Sequence, residues 1–502
     1  MKNFFLSTLS VLLLTNISFA QKWTEMMRDP NANYYDIVKE FDNYWKDKTY
    51  ERGKGYKAFK RWQWSVEPRV APSGDMKFSS RGYALEQYQT YLQENSNFKL
   101  MANAAVSATT ANWTPLGPFG SPAGGDAGRV QTIQLKPGDP NTIYVGTAAG
   151  GFWMSNNGGV SYTTTTDQFG SCGISGIAVD PINPNVIFVS TGDKDAGDTE
   201  STGVLRSGDG GLTWGQTGLL WQTSQQRRIY RLLINPINPN TLIAATSIGI
   251  YRTMDAGNTW SLVANGNYVD AEYRPGDTTT VYAVSGGSFA RSNNGGASFI
   301  TISIAGSLPS SRLSLAVTPA NNNFVYILVG APNNGFGGLY RSINTGSSWT
   351  LMSSTPNVMG WDTGGNDAGG QAWYDIAIDA SPTNANEITV GGVNSWKSIN
   401  GGASWALNTH WYGGGAPYVH ADLHWVLYTS GTTCYLGTDG GIARTTNNGL
   451  NWTTINGNMN IAQIYKMGQS SSVPTKIISG HQDNGTNYMN SAAWSEVYGG
   501  DG

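Results

Sequence analysis

The residues best equipped for chemistry lie late in the chain. All four histidines, His410, His420, His424 and His481, fall beyond residue 409 of 502. In the run His420-Ala421-Asp422-Leu423-His424 the polar side chains occupy alternate positions, so a strand there would place all three on one face. On the innermost strand of a closed ring of sheets, that face would point into the axial channel. Asp439 in TDGG, and His481 with Asp483 in GHQDNG, follow on the next strands or loops and could converge with them. Such imidazole–carboxylate groups bind a divalent metal, exchange protons as an acid/base pair, or lock neighbouring strands through hydrogen bonds. The sequence leaves these three open. It contains no HExxH, paired CxxC or EF-hand spacing, so no metal and no cofactor is expected. If the chain is an enzyme, Asp422 and Asp439 are the candidate acids.

Two further acidic stretches frame a possible ligand site. In TGDKDAGDTE, Asp193 and Asp195 lead a group completed by Asp198 and Glu200, a loop expected to be solvated or to contact calcium or a ligand. In WDTGGNDAGGQAWYD, Asp362, Asp367 and Asp375 accompany Trp361 and Trp373, and rings beside carboxylates suit a sugar, whose flat faces stack on aromatics. The expected ligand-binding set is therefore His420, Asp422, His424, Asp439, His481, Asp483, Asp193, Asp195, Trp361 and Trp373.

The elements that must position these groups are repeats. An eight-residue turn recurs seven times at intervals of 39 to 56 residues. It begins at Ser155 (with Asn157), Ser207 (Asp209, Trp214), Thr253 (Asp255, Trp260) and Ser292 (Asn294). It returns at Ser342 (Asn344, Trp349), Ser398 (Asn400, Trp405) and Thr445 (Asn447, Trp452). Each is preceded by two apolar runs around an Asx/Pro turn, such as IAVDPINPNVIFVST from Ile177, and then by a glycine hairpin. Four short strands per unit predict an all-β chain forming a β-propeller of at least seven blades. The turn is structural: the hydroxyl and the Asp or Asn oxygen bond local N–H groups, glycine takes positive φ, and the aromatic ring covers the hairpin. Five of the seven acid positions are Asn, which keeps the hydrogen bonds but not acid/base chemistry.

Composition narrows the function classes. Charged residues are 13%, Gly numbers 64, Trp 18 and Tyr 25, which describes a turn-dense β protein rather than a disordered one. The net charge of −3 excludes capture of nucleic acid through a basic face. Two cysteines, Cys172 and Cys434, do not make a disulfide scaffold; two buried free thiols are expected, with one long-range bridge as the alternative.

The repeated turn resembles the S/T-x-D-x-G-x-T-W Asp-box, or BNR repeat, of sortilin/VPS10-type propellers, sialidases and the xyloglucanases of glycoside hydrolase family 74. With WYDIAI from Trp373 and VHADLHW from Val419, the chain is similar to exported Bacteroidetes propellers that carry a C-terminal secretion-sorting domain, as in type IX secretion. The resemblance implies a surface or secreted protein that binds a glycan or protein ligand, with hydrolysis of polysaccharide as the alternative. In family 74 a catalytic Asp precedes Gly-Gly of an early blade. Here the matching stretch is Thr147-Ala148-Ala149-Gly150-Gly151, with alanine at that position. Sialidase chemistry would need an arginine cluster with an Arg-Ile-Pro signature; Arg227, Arg228 and Arg231 lack it.

Residues 1–20 read as a signal peptide: Lys2, an apolar run, then Ser18-Phe19-Ala20 as cleavage site. No later run is long enough to span a membrane. Residues 21–111 form a helical segment and linker. They hold 25 charges in their first 80 positions, 14 basic and 11 acidic, with helices expected over Tyr34–Tyr50 and Gly82–Asn95. Lys54–Trp64 is expected to be linker lying against the next domain. Residues 112–502 form the propeller, with an eighth unit lacking a box after Ile455. NWTPLG from Asn112 is expected to be a lone strand that closes the ring, and the chain is expected to be a fragment of a longer protein.

Overall fold

The computed structural model describes residues 22–27, 29, 31–50, 54–94, 114–170, 173–304, 308 and 310–502. The expected signal peptide, the boundary near residue 111, and Cys172 lie outside them. The chain divides into two compact units, residues 1–105 and 106–502.

The first unit is helical: α1 (Lys22–Met26), α2 (Tyr34–Trp45), α3 (Tyr56–Val70) and α4 (Arg81–Glu94). Asn33 caps α2 by accepting from the Tyr35 N–H, and Tyr34, Ile37, Phe41 and Trp45 recur at helical spacing on its buried face. The linker expected over Lys54–Trp64 is instead most of α3. Phe59 is buried and stacks on Phe41 with ring centroids 3.7 Å apart, while Val66 and Val70 continue the apolar stripe. The basic residues between them had masked that stripe.

The second unit contains eight four-stranded antiparallel sheets, each made of four consecutive strands. Seven, at 130–164, 174–220, 229–265, 268–302, 312–353, 377–409 and 423–454, are blades 1 to 7 of a ring. Their innermost strands neighbour one another in order, and that of blade 7 (Leu423–Tyr428) packs beside that of blade 1 (Val130–Lys136). The seam is sealed by an apolar cluster of Val130, Ile133 and Trp153 with Tyr435, Ile442 and Ile455. Every blade is contiguous in sequence, so no strand is borrowed to close the ring. Residues 114–126 run instead along the outer strand of the eighth sheet, Ala493–Tyr498. Glu496 N–H donates to the Ala123 carbonyl at 2.9 Å and the Trp494 indole to the Leu116 carbonyl at 2.7 Å. The closing role expected for NWTPLG is thus corrected: blade 7 completes itself with Thr453–Thr454.

The box turns are built as their chemistry requires. In the first, Ser155 Oγ accepts from Gly159 N–H (2.9 Å) and donates to Asn157 Oδ1 (2.9 Å), which also accepts from Ser161 N–H. Asp209 makes the same contacts and adds a bond from the Thr213 hydroxyl at 2.6 Å, which four of the five amide boxes replace by donating to serine. The box tryptophans reach the preceding blade: Trp214 lies edge-on to Phe152 and Trp349 to Phe289. A cation just before the box reaches the following blade. Arg252 donates to the Gly295 carbonyl, Arg291 to Thr345, Lys397 to Asn448 and, across the seam, Arg444 to Gly158.

Candidate functional site

One mouth of the axial channel is filled by charge. The loop between the second and third strands of blade 2 turns inward because Asp193 accepts from the N–H groups of Asp195 and Asp198. Asp193 and Asp195 are buried rather than solvated. Arg129, which leads into blade 1, pairs with Asp193 (2.7 Å) and Asp198 (2.8 Å) and donates to the Tyr374 hydroxyl (2.9 Å). Arg312 of blade 5 pairs with Asp195 at 2.6 Å, and Lys194 lies 3.5 Å from the same carboxylate. These cations explain how the acids tolerate burial.

From that plug the network runs to the rim. His424 Nδ1 lies 2.9 Å from Asp195 and Nε2 2.8 Å from Asp439 Oδ1, while the Tyr374 hydroxyl donates to Asp439 Oδ2 at 2.6 Å. Asp439, Asp422 and Asp483 bring carboxylate oxygens within 4.8 Å of one another. Gln371 donates to both Asp422 and Asp375, and His420 Nε2 meets the Asp483 carbonyl at 3.0 Å.

The strand alternation expected through His420–His424 is not what gathers these groups. The strand begins at Leu423, and Asp422 has φ +64°. Only His424 therefore lies on the innermost strand, within a register shift between Leu423 and Trp425. Asp422 turns to Gln371, and His420 crosses to the eighth sheet. His481 also departs from the expected convergence: it is enclosed within the eighth sheet by Ser479 and Asn487. His410 bonds the Trp361 carbonyl, and Asp362 and Asp367 tie their own loop together.

The carboxyls are driven apart in strength. Burial opposes ionisation of Asp439, but the His424 and Arg129 charges and the Tyr374 hydroxyl outweigh it and hold this group below the usual range. Asp483 is pushed up to about 8 by burial and then by the Asp439 and Asp422 charges. Asp422 is raised to about 6 by burial and by Asp439, and Asp375 well above the usual range by burial and Asp422. His424 is raised because the Asp195 and Asp439 charges override its burial, whereas burial alone lowers His481 to about 4. Within 4.8 Å one divalent cation could bridge Asp422, Asp439 and Asp483. Both oxygens of Asp439 already accept from His424 and Tyr374, however, and we assign no metal there.

Trp361 and Trp373 are half-exposed, at 51% and 55%. Trp373 adjoins Tyr374, and the Trp361 loop is joined through His410 to exposed Trp411 and Tyr412. Sequence reading missed Arg129, Arg312, Gln371, Tyr374, Trp411 and Tyr412. Arg129 meets Tyr374 across 245 residues, which no local spacing reveals. A signal for Trp411 and Tyr412 did exist, in two rings directly after a histidine. A polar cavity of about 310 Å³ adjoins the plug, lined by Arg231, Asp270, Glu272 and Asp379, with burial raising the last two to about 7.

Against known proteins, no protein-family profile matches the chain. It is 27% identical over 338 residues to a xyloglucanase of Paenibacillus sp, covering 56% of this chain and 31% of that protein. It is 25% identical over 250 residues to a xyloglucanase of Hypocrea jecorina, covering 46% and 27%. The chain thus spans about a third of the length of these relatives. The crystal structure of the GH74 xyloglucanase from Xanthomonas campestris superposes with a TM-score of 0.54 at 15% identity, over 72% of this chain and 58% of that one. The chain carries a GH74-like β-propeller. At this identity the superposition establishes the fold, and the two curated relatives are named xyloglucanases. Among the described residues no helix of this GH74-like chain is long and apolar enough to cross a membrane.

Proposed function

We propose that this propeller contributes one side of a polysaccharide-cleaving site acting outside the cytoplasm, with Asp483 as general acid. The observation that carries the reading is the opposed tuning of neighbouring carboxyls, Asp483 held protonated near neutral pH and Asp439 held ionised. Divergent acids in one cluster are the mark of acid and base assignments. Asp422, raised only to about 6, is largely ionised at neutral pH and is the better candidate for the base, since the oxygens of Asp439 are committed to Tyr374 and His424. Exposed Trp361, Trp373, Trp411 and Tyr412 supply flat apolar faces for sugar rings, and the xyloglucanase names of the relatives suggest a substituted β-glucan backbone.

A second reading, recognition of a glycan or protein without cleavage, draws on two observations. In Thr147-Ala148-Ala149-Gly150-Gly151 alanine stands where the family 74 pattern has its early aspartate. The nearest oxygens of the present acids also lie closer together than the roughly 5 to 10 Å between carboxyl groups in glycosidases. The test is to incubate the chain with xyloglucan, unsubstituted β-glucans and microbial glycans while counting new reducing ends. Release abolished by Asp483→Asn supports the enzyme. Affinity without release, unchanged in that variant, supports recognition alone.

A further inference from the structure

His424 has no solvent-accessible side chain and is enclosed by charge on every side. Nε2 is 2.8 Å from Asp439 Oδ1, and Nδ1 is 2.9 Å from Asp195 Oδ2, the latter an ion contact off the hydrogen-bond axis. Tyr374 packs edge-on to the ring at 4.8 Å and takes the other oxygen of Asp439. Lys194 reaches the His424 carbonyl at 3.3 Å and lies 3.5 Å from Asp195 Oδ2, the oxygen that faces the ring, while Arg312 pairs with the other oxygen, Oδ1. Arg129, Asp422, Asp483, His420 and Asp375 are further titratable or charged groups facing the pair. A neutral imidazole would turn a nitrogen lone pair toward one of two anions at under 3 Å. A doubly protonated ring presents a positive N–H edge to both.

We propose that His424 is a positioning residue: a doubly protonated imidazolium, braced by Asp195, that holds Asp439 as an oriented anion beside Asp483. Its functional consequence rests on the reading of Asp483 as the acid. An anion fixed within 4.8 Å makes departure of the Asp483 proton unfavourable, so the strength of the acid is set from the far side of the channel plug. Asp195, contributed by blade 2, thereby acts on chemistry placed between blade 7 and the eighth sheet.

The test begins with the imidazole nitrogens of the full chain labelled with nitrogen-15 histidine. There are four histidines, and His410→Asn, His420→Asn and His481→Asn identify the other three by subtraction, so the assignment does not depend on a folded His424→Gln. The expected result is that both His424 nitrogens keep imidazolium shifts at pH 8. In Asp195→Asn the ring's titration moves down by about 1 to 3 pH units. A neutral His424 at pH 7 in the unaltered chain overturns the proposal. On a cleaved glycan, Asp195→Asn should move the descending limb of the kcat/KM profile, which reports the Asp483 proton, downward by about 1 to 3 pH units, because Asp439 is then held less firmly as its anionic neighbour. A uniform loss at every pH with unmoved limbs would mark His424 as scaffold and overturn the positioning role. If the unaltered chain cleaves nothing, the enzyme reading fails, and the nitrogen shifts still decide whether the imidazolium exists.

Discussion

Replacing Arg129 by methionine isolates the value of the charged plug. The side chain is 1% exposed, and its two ion pairs, at 2.7 and 2.8 Å, tie blade 1 to Asp193 and Asp198 of the blade 2 loop. Methionine fills much of the volume, so the loss is electrostatic: Asp193, whose side chain is wholly inaccessible, is left without its guanidinium. Removing one partner of a buried pair costs about 3 to 5 kcal/mol. Asp193→Asn in the same chain removes the stranded charge, and the double variant should recover about 1 to 3 kcal/mol of that loss as coupling between the two positions. Urea unfolding followed by tryptophan fluorescence, with the slope checked for constancy, measures each chain. A single variant within about 1 kcal/mol of the unaltered protein would refute the reasoning. A double variant no more stable than the sum of its parts would do the same, because it would show that the acids find water or other cations when Arg129 goes.

Ser207→Ala removes the buried oxygen that accepts from Gly211 N–H at 2.8 Å, and should destabilise by about 1 to 3 kcal/mol in the same urea assay. The carboxyl of Asp483 binds its proton more tightly folded than unfolded, so its contribution is complete below the unfolded value near 4 and disappears as pH rises through about 8. Unfolding midpoints in a pH series should therefore fall across that window, and Asp483→Asn should flatten the fall. Gly402 has φ +90° and an added Cβ would meet Leu339 Cδ2 at 2.0 Å, so Gly402→Ala should cost about 1 to 3 kcal/mol, read as a lower melting temperature. Cys434 is buried and its thiol is pushed up by burial and by Asp379; peptide mapping should find it unmodified by iodoacetamide until urea unfolds the blade.

The blades were legible because their signal is local. A serine or threonine, an Asx, at least one glycine and a ring within eight residues fix a hairpin wherever they occur, and seven repetitions leave few architectures. The arginine or lysine before six of the seven boxes was equally local, yet its meaning depends on the following blade, as in Arg444 and Gly158. The acid cluster was legible in content but not in form. His424, Asp439 and Asp483 could be chosen by type, whereas the left-handed backbone of Asp422 broke the alternation used to group them. Arg129 and Arg312 escaped notice because a buried cation announces itself only through partners far along the chain. Helix α3 was hidden by the opposite problem, with Phe59 and Val66 set among lysines and arginines that suggested solvent.

Contiguity of the blades has a consequence for how the site comes into being. Each blade pairs only with its own neighbours in sequence and can form early, as local antiparallel sheets do when contact separations are short. The seam between blades 7 and 1 is different: Tyr162 bonds the Ile455 carbonyl across 293 residues, so it closes last. Asp439 and Arg129 sit on opposite sides of that seam, and Asp195 meets His424 only when it shuts. A ring opened at that seam, by thermal breathing for example, keeps the His424–Asp439 contact within blade 7 but loses the Asp195 and Arg129 charges that complete the cluster. The molecule therefore proofreads itself: acid strength exists only in chains whose circle is complete.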